Sequence, residues 1–104
     1  MALLGDPFIA NVSRPLTNGE LLQAIRVDLA GELEAIIGYE AHVMATNDER
    51  VKKTLGHIAE EERQHVGELQ ELLAVLSPND GAQTDKGKQA IQQQRQTNFQ
   101  APLQ

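Results

Sequence analysis

The chain has 104 residues, a net charge of −6, 40% hydrophobic and only 3% aromatic residues, and no cysteine. That length suits one small domain, no apolar run approaches the roughly 18 residues of a membrane span, and the acidic balance excludes a nucleic-acid surface, which needs basic patches to displace counterions. Without cysteine there are no disulfides or thiolate sites, which fits the cytoplasm, and any metal must be held by carboxylate and imidazole, ligands suited to iron, manganese and zinc.

Residues 1–16 read as an N-terminal arm, with Pro7 and Pro15 and a few apolar residues, Leu3, Leu4, Phe8 and Ile9. No basic stretch followed by an apolar one is visible there, so no secretory signal is expected. Thr17-Asn18-Gly19-Glu20 is a capping box. It predicts a first helix over about 18–45, interrupted by Gly31 and Gly38, each costing about 1 kcal/mol relative to Ala. Thr46-Asn47-Asp48 forms a short turn, and Asp48 caps a second helix over about 49–76. Ser77-Pro78-Asn79-Asp80-Gly81 reads as a stop.

A connection this short makes the two helices antiparallel neighbours, each about 40 Å long. Beyond Gly81 the composition shifts to Gln, Lys, Gly and Thr. Residues 78–104 are therefore expected to be a flexible tail with at most one short helix near 88–98. The predicted fold is all-α: an antiparallel two-helix hairpin over 17–77, between an arm and a tail. Such a hairpin cannot bury both faces of its helices, because small domains hide a low fraction of their surface. A second copy related by a two-fold axis would complete a four-helix bundle.

Steps of four and three along the second helix give Val51, Leu55, Ile58, Glu62, His65, Leu69, Leu72 and Leu76. The same steps in the first give Ile25, Leu29, Glu32, Ile36, Tyr39 and Val43. Both inward stripes are apolar except near their midpoints. An unpartnered carboxylate is costly to bury there, so Glu32, Glu62 and His65 need a common partner. Glu62 and His65 are i and i+3, nearly on one side of the helix and about 4.5 Å apart along it, so both can reach one cation. Ferritin-like di-iron bundles use this Glu-x-x-His pair twice, with one further Glu from each of two other helices. The chain carries half that set, and a symmetric dimer would supply the whole, its four carboxylates matching the charge of two ferrous ions.

The other polar and aromatic residues have simpler readings. Tyr39 is either a core aromatic or a neighbour of the metal, His42 a solvated residue and Met44 core filling. The run Glu60-Glu61-Glu62, with Glu68 and Glu71, is for the most part a solvated acidic face. Three functions compete: a ferroxidase, a rubrerythrin-like di-iron peroxidase on the same ligands, and a non-enzymatic metal-binding helical module. The lack of any Cys-x-x-Cys counts against a complete rubrerythrin.

The hairpin resembles the encapsulated ferritins, demi-ferritins whose two-helix subunits build a ferroxidase centre across a dimer interface. The resemblance spans about residues 26–76. It is carried by Glu32-Leu33-Glu34-Ala35-Ile36 and Tyr39 in the first helix, and by His57 and Glu60-Glu61-Glu62-Arg63-Gln64-His65 in the second. It implies that Glu32, Glu62 and His65 ligate a di-iron centre with Tyr39 close by, and calcium, zinc or manganese are the ions expected to substitute. Secondary metal sites would involve Glu34, His57 and Glu61. The resemblance also implies a ring-shaped decamer of such dimers, enclosed in a cytoplasmic encapsulin nanocompartment that stores the oxidised iron. The chain departs from the family at Gly31, where an acidic residue often accompanies Glu34, at Gly38, where a Trp is found, and at Gln64 beside His57 and Glu61. Its tail ends Gln100-Ala101-Pro102-Leu103-Gln104, without a Gly-Ser-Leu-type cargo peptide.

Overall fold

The computed structural model describes residues 14–97, which form three helices and no strand: α1 (Asn18–Met44), α2 (Glu49–Leu76) and α3 (Pro78–Thr97). The expectations for residues 1–13 and 98–104 lie outside the described residues. α1 and α2 make the all-α antiparallel hairpin read from the sequence, with boundaries within one residue of those expected.

Local chemistry sets these boundaries. At the start of α1 the Glu20 amide donates to the Thr17 hydroxyl at 3.2 Å, and the Thr17 amide donates to the Glu20 carboxylate at 2.9 Å. The Arg14 guanidinium then grips both Glu20 oxygens at 2.8 and 2.9 Å. This fork, followed by the Thr17 amide, holds the Glu20 carboxyl down to about 2. α1 ends where the Ala45 amide is shared between the Ala41 and His42 carbonyls. Asp48 accepts from the Arg50 amide at 2.9 Å and opens α2, so the turn needs only Ala45 to Asp48.

The segment after α2 departs from the sequence reading. Ser77-Pro78-Asn79-Asp80-Gly81 is a junction rather than a stop, and α3 runs for 20 residues where a flexible tail with a short helix near 88–98 was expected. Ser77 ends α2 by donating its amide to the Leu73 carbonyl at 2.8 Å, and its hydroxyl accepts from the Asp80 amide at 3.3 Å to open α3. Proline at the first helical position loses nothing, because that amide has no intrahelical partner. At Gly81 a Cβ would lie 3.1 Å from the Ala74 Cβ, so the missing side chain lets α3 pass close to α2. Arg26 ties this junction back to α1 through a 2.7 Å bond to Asp80.

The core of one copy is thin. Ala24, Ile25, Ala59 and Leu73 are its buried apolar residues among those described. Leu55, Ile58 and Leu69 of the α2 stripe are half-buried, and Leu72 and Leu76 are exposed. Met44, expected to fill the core, is 82% exposed, because α1 turns it to the flank of the hairpin. α3 packs on α2, and its residues 82–96 are exposed throughout.

Two outcomes are expected. Because folding lowers the Glu20 carboxyl from its ordinary 4.5, its support of α1 is complete above that value and disappears as pH falls through about 2. Protection of the Thr17 amide from exchange, taken relative to its intrinsic rate at each pH, should therefore fall over that window, and Arg14→Ala should shift the onset to higher pH. Ending the chain after Ser77 should remove the ellipticity of α3 while moving the hairpin's melting temperature by no more than about 5 °C, since α3 buries little of its surface. Circular dichroism reads both quantities, and collapse of the hairpin would show that α3 supports it.

Candidate metal centre

Glu32 lies near the middle of α1, and Glu62 and His65 near the middle of α2. Antiparallel packing of two helices of nearly equal length brings those midpoints to one level. The His65 Nδ1 stands 3.4 Å from the Glu32 Oε2 and 3.5 Å from the Glu62 Oε2. One donor atom from each residue fits within 4.8 Å of the others, the one such group of three among the described residues.

These separations are long for a charge-assisted hydrogen bond, which runs at about 2.7–2.9 Å. They do suit a shared ion: donors bound about 2.1 Å from one metal lie about 3–3.5 Å apart. Two carboxylate oxygens and one imidazole nitrogen form a donor set for iron, manganese or zinc. Three donors are fewer than such ions take, so the group is a partial site with room on its open side. Exposure grades across it, from 17% for the Glu62 side chain through 26% for Glu32 to 48% for His65.

The charge around the group also fits a cation. The ion pairs of Glu32 and Glu62 among the described residues go to His65, not to Lys or Arg. The nearest basic residue in sequence, Arg63, is turned away to Glu40 and Glu60. Two half-buried carboxylates facing one imidazole are thus left to be offset by something else.

The remaining predicted residues are placed as follows. Tyr39 is half-buried on α1, two turns beyond Glu32 on the same face. His57 and Glu61 pair at 3.4 Å on the exposed side of α2, with side chains 72% and 52% exposed. Glu34 is half-buried and does not join them in a three-residue group within one copy. His42 is exposed. The sequence reading missed the Arg63 bridge to Glu40: the Glu60-x-x-Arg63 spacing was legible, but a partner 23 residues away was not.

Replacing the gathered residues should separate metal binding from folding. Glu32→Ala, Glu62→Ala and His65→Ala should each weaken Co(II) or Fe(II) binding by at least about tenfold in calorimetric titration. The metal-free melting temperature of the two carboxylate variants should stay level or rise, because each removes one of two clustered like charges. Glu71→Ala, on the exposed face, should match wild type in both. Lower apo stability with unchanged metal binding would mark the group as a tolerated polar core.

The chain is similar to known proteins in sequence and in fold. Residues 20–80 match the profile of the family described as "Ubiquinone biosynthesis protein COQ7". The chain is 39% identical over 90 residues to the encapsulin nanocompartment cargo protein EncC of Myxococcus xanthus, covering 86% of this chain and 67% of that protein. It is 34% identical over 88 residues to a ferritin-like-encapsulin shell fusion protein of Pyrococcus furiosus, covering 85% of this chain but 26% of the fusion. The crystal structure of the encapsulated ferritin domain from Pyrococcus furiosus superposes with a TM-score of 0.72 at 33% identity, covering 94% of this chain and 97% of that one. With the family profile, the cargo relative and the solved fold in agreement, the chain belongs to the COQ7 ferritin-like family and to the encapsulated ferritins.

Proposed function

We propose that the chain is a ferroxidase that oxidises Fe(II) to Fe(III) at a di-iron centre formed across a dimer interface, for iron storage or detoxification. The observation that carries this reading is the half-exposed group of Glu32, Glu62 and His65, which lacks a Lys or Arg counter-ion and is short of a full ligand set. A second copy related by a two-fold axis doubles the donors, giving two ions four carboxylates and two imidazoles. The same pairing covers the half-exposed apolar stripes on either side.

Each residue has a task that follows from its setting. Glu62, the least exposed of the three, holds the substrate ion on the inner side, where a carboxylate interacts most strongly with a cation. Glu32 closes the pair from α1. His65, the most exposed, meets ions arriving from solvent and must be neutral at Nδ1 to donate its lone pair. Each ferrous ion gives up one electron, and dioxygen or peroxide accepts them. Four carboxylates keep the site charge-matched to two divalent ions. Tyr39 borders the site from the next turns of α1, and Glu34, His57 and Glu61 take part in metal binding where a neighbouring copy adds ligands.

The relatives support a wider setting. EncC is named as encapsulin cargo, and the Pyrococcus protein fuses a ferritin-like part to an encapsulin shell. The chain is accordingly proposed to assemble with copies of itself, as a decameric ring, inside an encapsulin nanocompartment of the cytoplasm. No helix among the described residues is long and apolar enough to cross a membrane.

The test is an anaerobic Fe(II) titration followed by air or peroxide. The ferric absorbance should rise with a break near two irons per dimer, and sedimentation should show Fe(II) shifting the chain toward dimer or larger species, since an ion that bridges subunits stabilises their association. Glu62→Ala should lose both responses. A helical monomer that oxidises iron no faster than buffer would overturn the proposal.

A further inference from the structure

Arg63 and His65 stand two residues apart on α2, about 200° of rotation at 3.6 residues per turn, so they leave opposite flanks of the helix. Both nevertheless reach α1. His65 approaches Glu32 at 3.4 Å, and Arg63 donates Nη2 to the Glu40 carboxylate eight residues further along. The Arg63 Nη1 donates to Glu60 of its own helix at 3.2 Å, so the guanidinium is gripped by both helices. Between these flanks lies Ala59, only 2% exposed, with Leu55, Glu62 and Val66 half-buried to either side along α2. An alanine seats the helices close together, but it has no side chain long enough to lock one against rotation.

Two links on opposite flanks do what the alanine cannot. Turning α2 one way lengthens the Arg63 link, and turning it the other way lengthens the His65 link. Before an ion is bound the His65–Glu32 separation is too long for a strong hydrogen bond, so the Arg63 link is the firmer of the two.

We propose that Arg63 is a positioning residue for the metal centre: its clamp on Glu40 and Glu60 sets the rotation of α2 so that Glu62 and His65 face Glu32 before the ion arrives. The inference rests on reading Glu32, Glu62 and His65 as metal donors, and goes beyond it by assigning a residue that touches no ion. It also predicts a sign. Removing a positive charge beside a cation site would, by Coulomb's law alone, strengthen cation binding. Loss of a clamp weakens it.

Co(II) titration of the full metal-free chain, read by calorimetry and by the visible absorption band of the bound ion, decides between them. Arg63→Ala should weaken Co(II) binding about three- to fivefold, the scale of one partly exposed ion-pair network, and should alter the band shape. Glu40→Ala should weaken it equally, the double variant should be no weaker than either single one, and Arg63→Lys should restore part of the loss. If Arg63→Ala fails to fold, Arg63→Lys and Glu40→Ala still carry the comparison. Binding by Arg63→Ala as tight as wild type or tighter, or fully additive losses in the double variant, would overturn the clamp. A wild-type chain that binds no Co(II) would instead overturn the metal reading, and the clamp with it.

Discussion

Two carboxylates set at the midpoint of an otherwise apolar helix pair constrain everything else in this molecule. Charge in such a place must be offset, and among the described residues the ion pairs of Glu32 and Glu62 go to His65 and not to a Lys or Arg. For Glu32 to meet Glu62 and His65, α1 and α2 must be nearly equal in length, antiparallel and joined by a turn too short to slip. The Thr17 capping box, the Asp48 cap and the shared Ala45 amide fix those lengths at 27 and 28 residues. Capping residues some 20 Å from the centre thus act on it, by deciding which residue of one helix lies level with which residue of the other.

The thin core gives the same constraint another side. Two of the four buried residues among those described are alanines, so this part of one copy has little apolar burial to offset its conformational entropy. Apolar residues that would normally lie inside a domain are half-covered, and Glu32, Glu62 and His65 interrupt the same stripes. On the proposed reading, one association covers the apolar residues and completes the donor set. The chain matches nearly all of the encapsulated ferritin domain but only about a quarter of the shell fusion, so the part shared with both is larger than the hairpin and takes in α3.

Much of this was legible in the sequence because it is written in local patterns. The capping box, the Asp48 turn and the apolar stripes are decided by residues within a few positions of one another, and the mid-stripe placement of Glu32, Glu62 and His65 follows from them. What escaped depends on context. Ser77-Pro78 carries both a stop and a start, and punctuation of that kind reads more readily as an ending. The depth of Ala59 and Leu73, off the expected stripe, depends on the rotation of α2 against α1. So does the bridge from Arg63 to Glu40. Met44, read as core filling, is exposed at the last residue of α1.

Ser77 closes α2 and opens α3, leaving no loop between them. Without a loop there is no slack, so α3 behaves as a lever rigidly fixed to the helix that carries Glu62 and His65. It is about 30 Å long, and a 10° turn of α2 would sweep its far end through about 5 Å. A displacement too small to notice at the axis of α2 becomes large at the tip of α3, so the aim of the outer helix follows the rotation of α2.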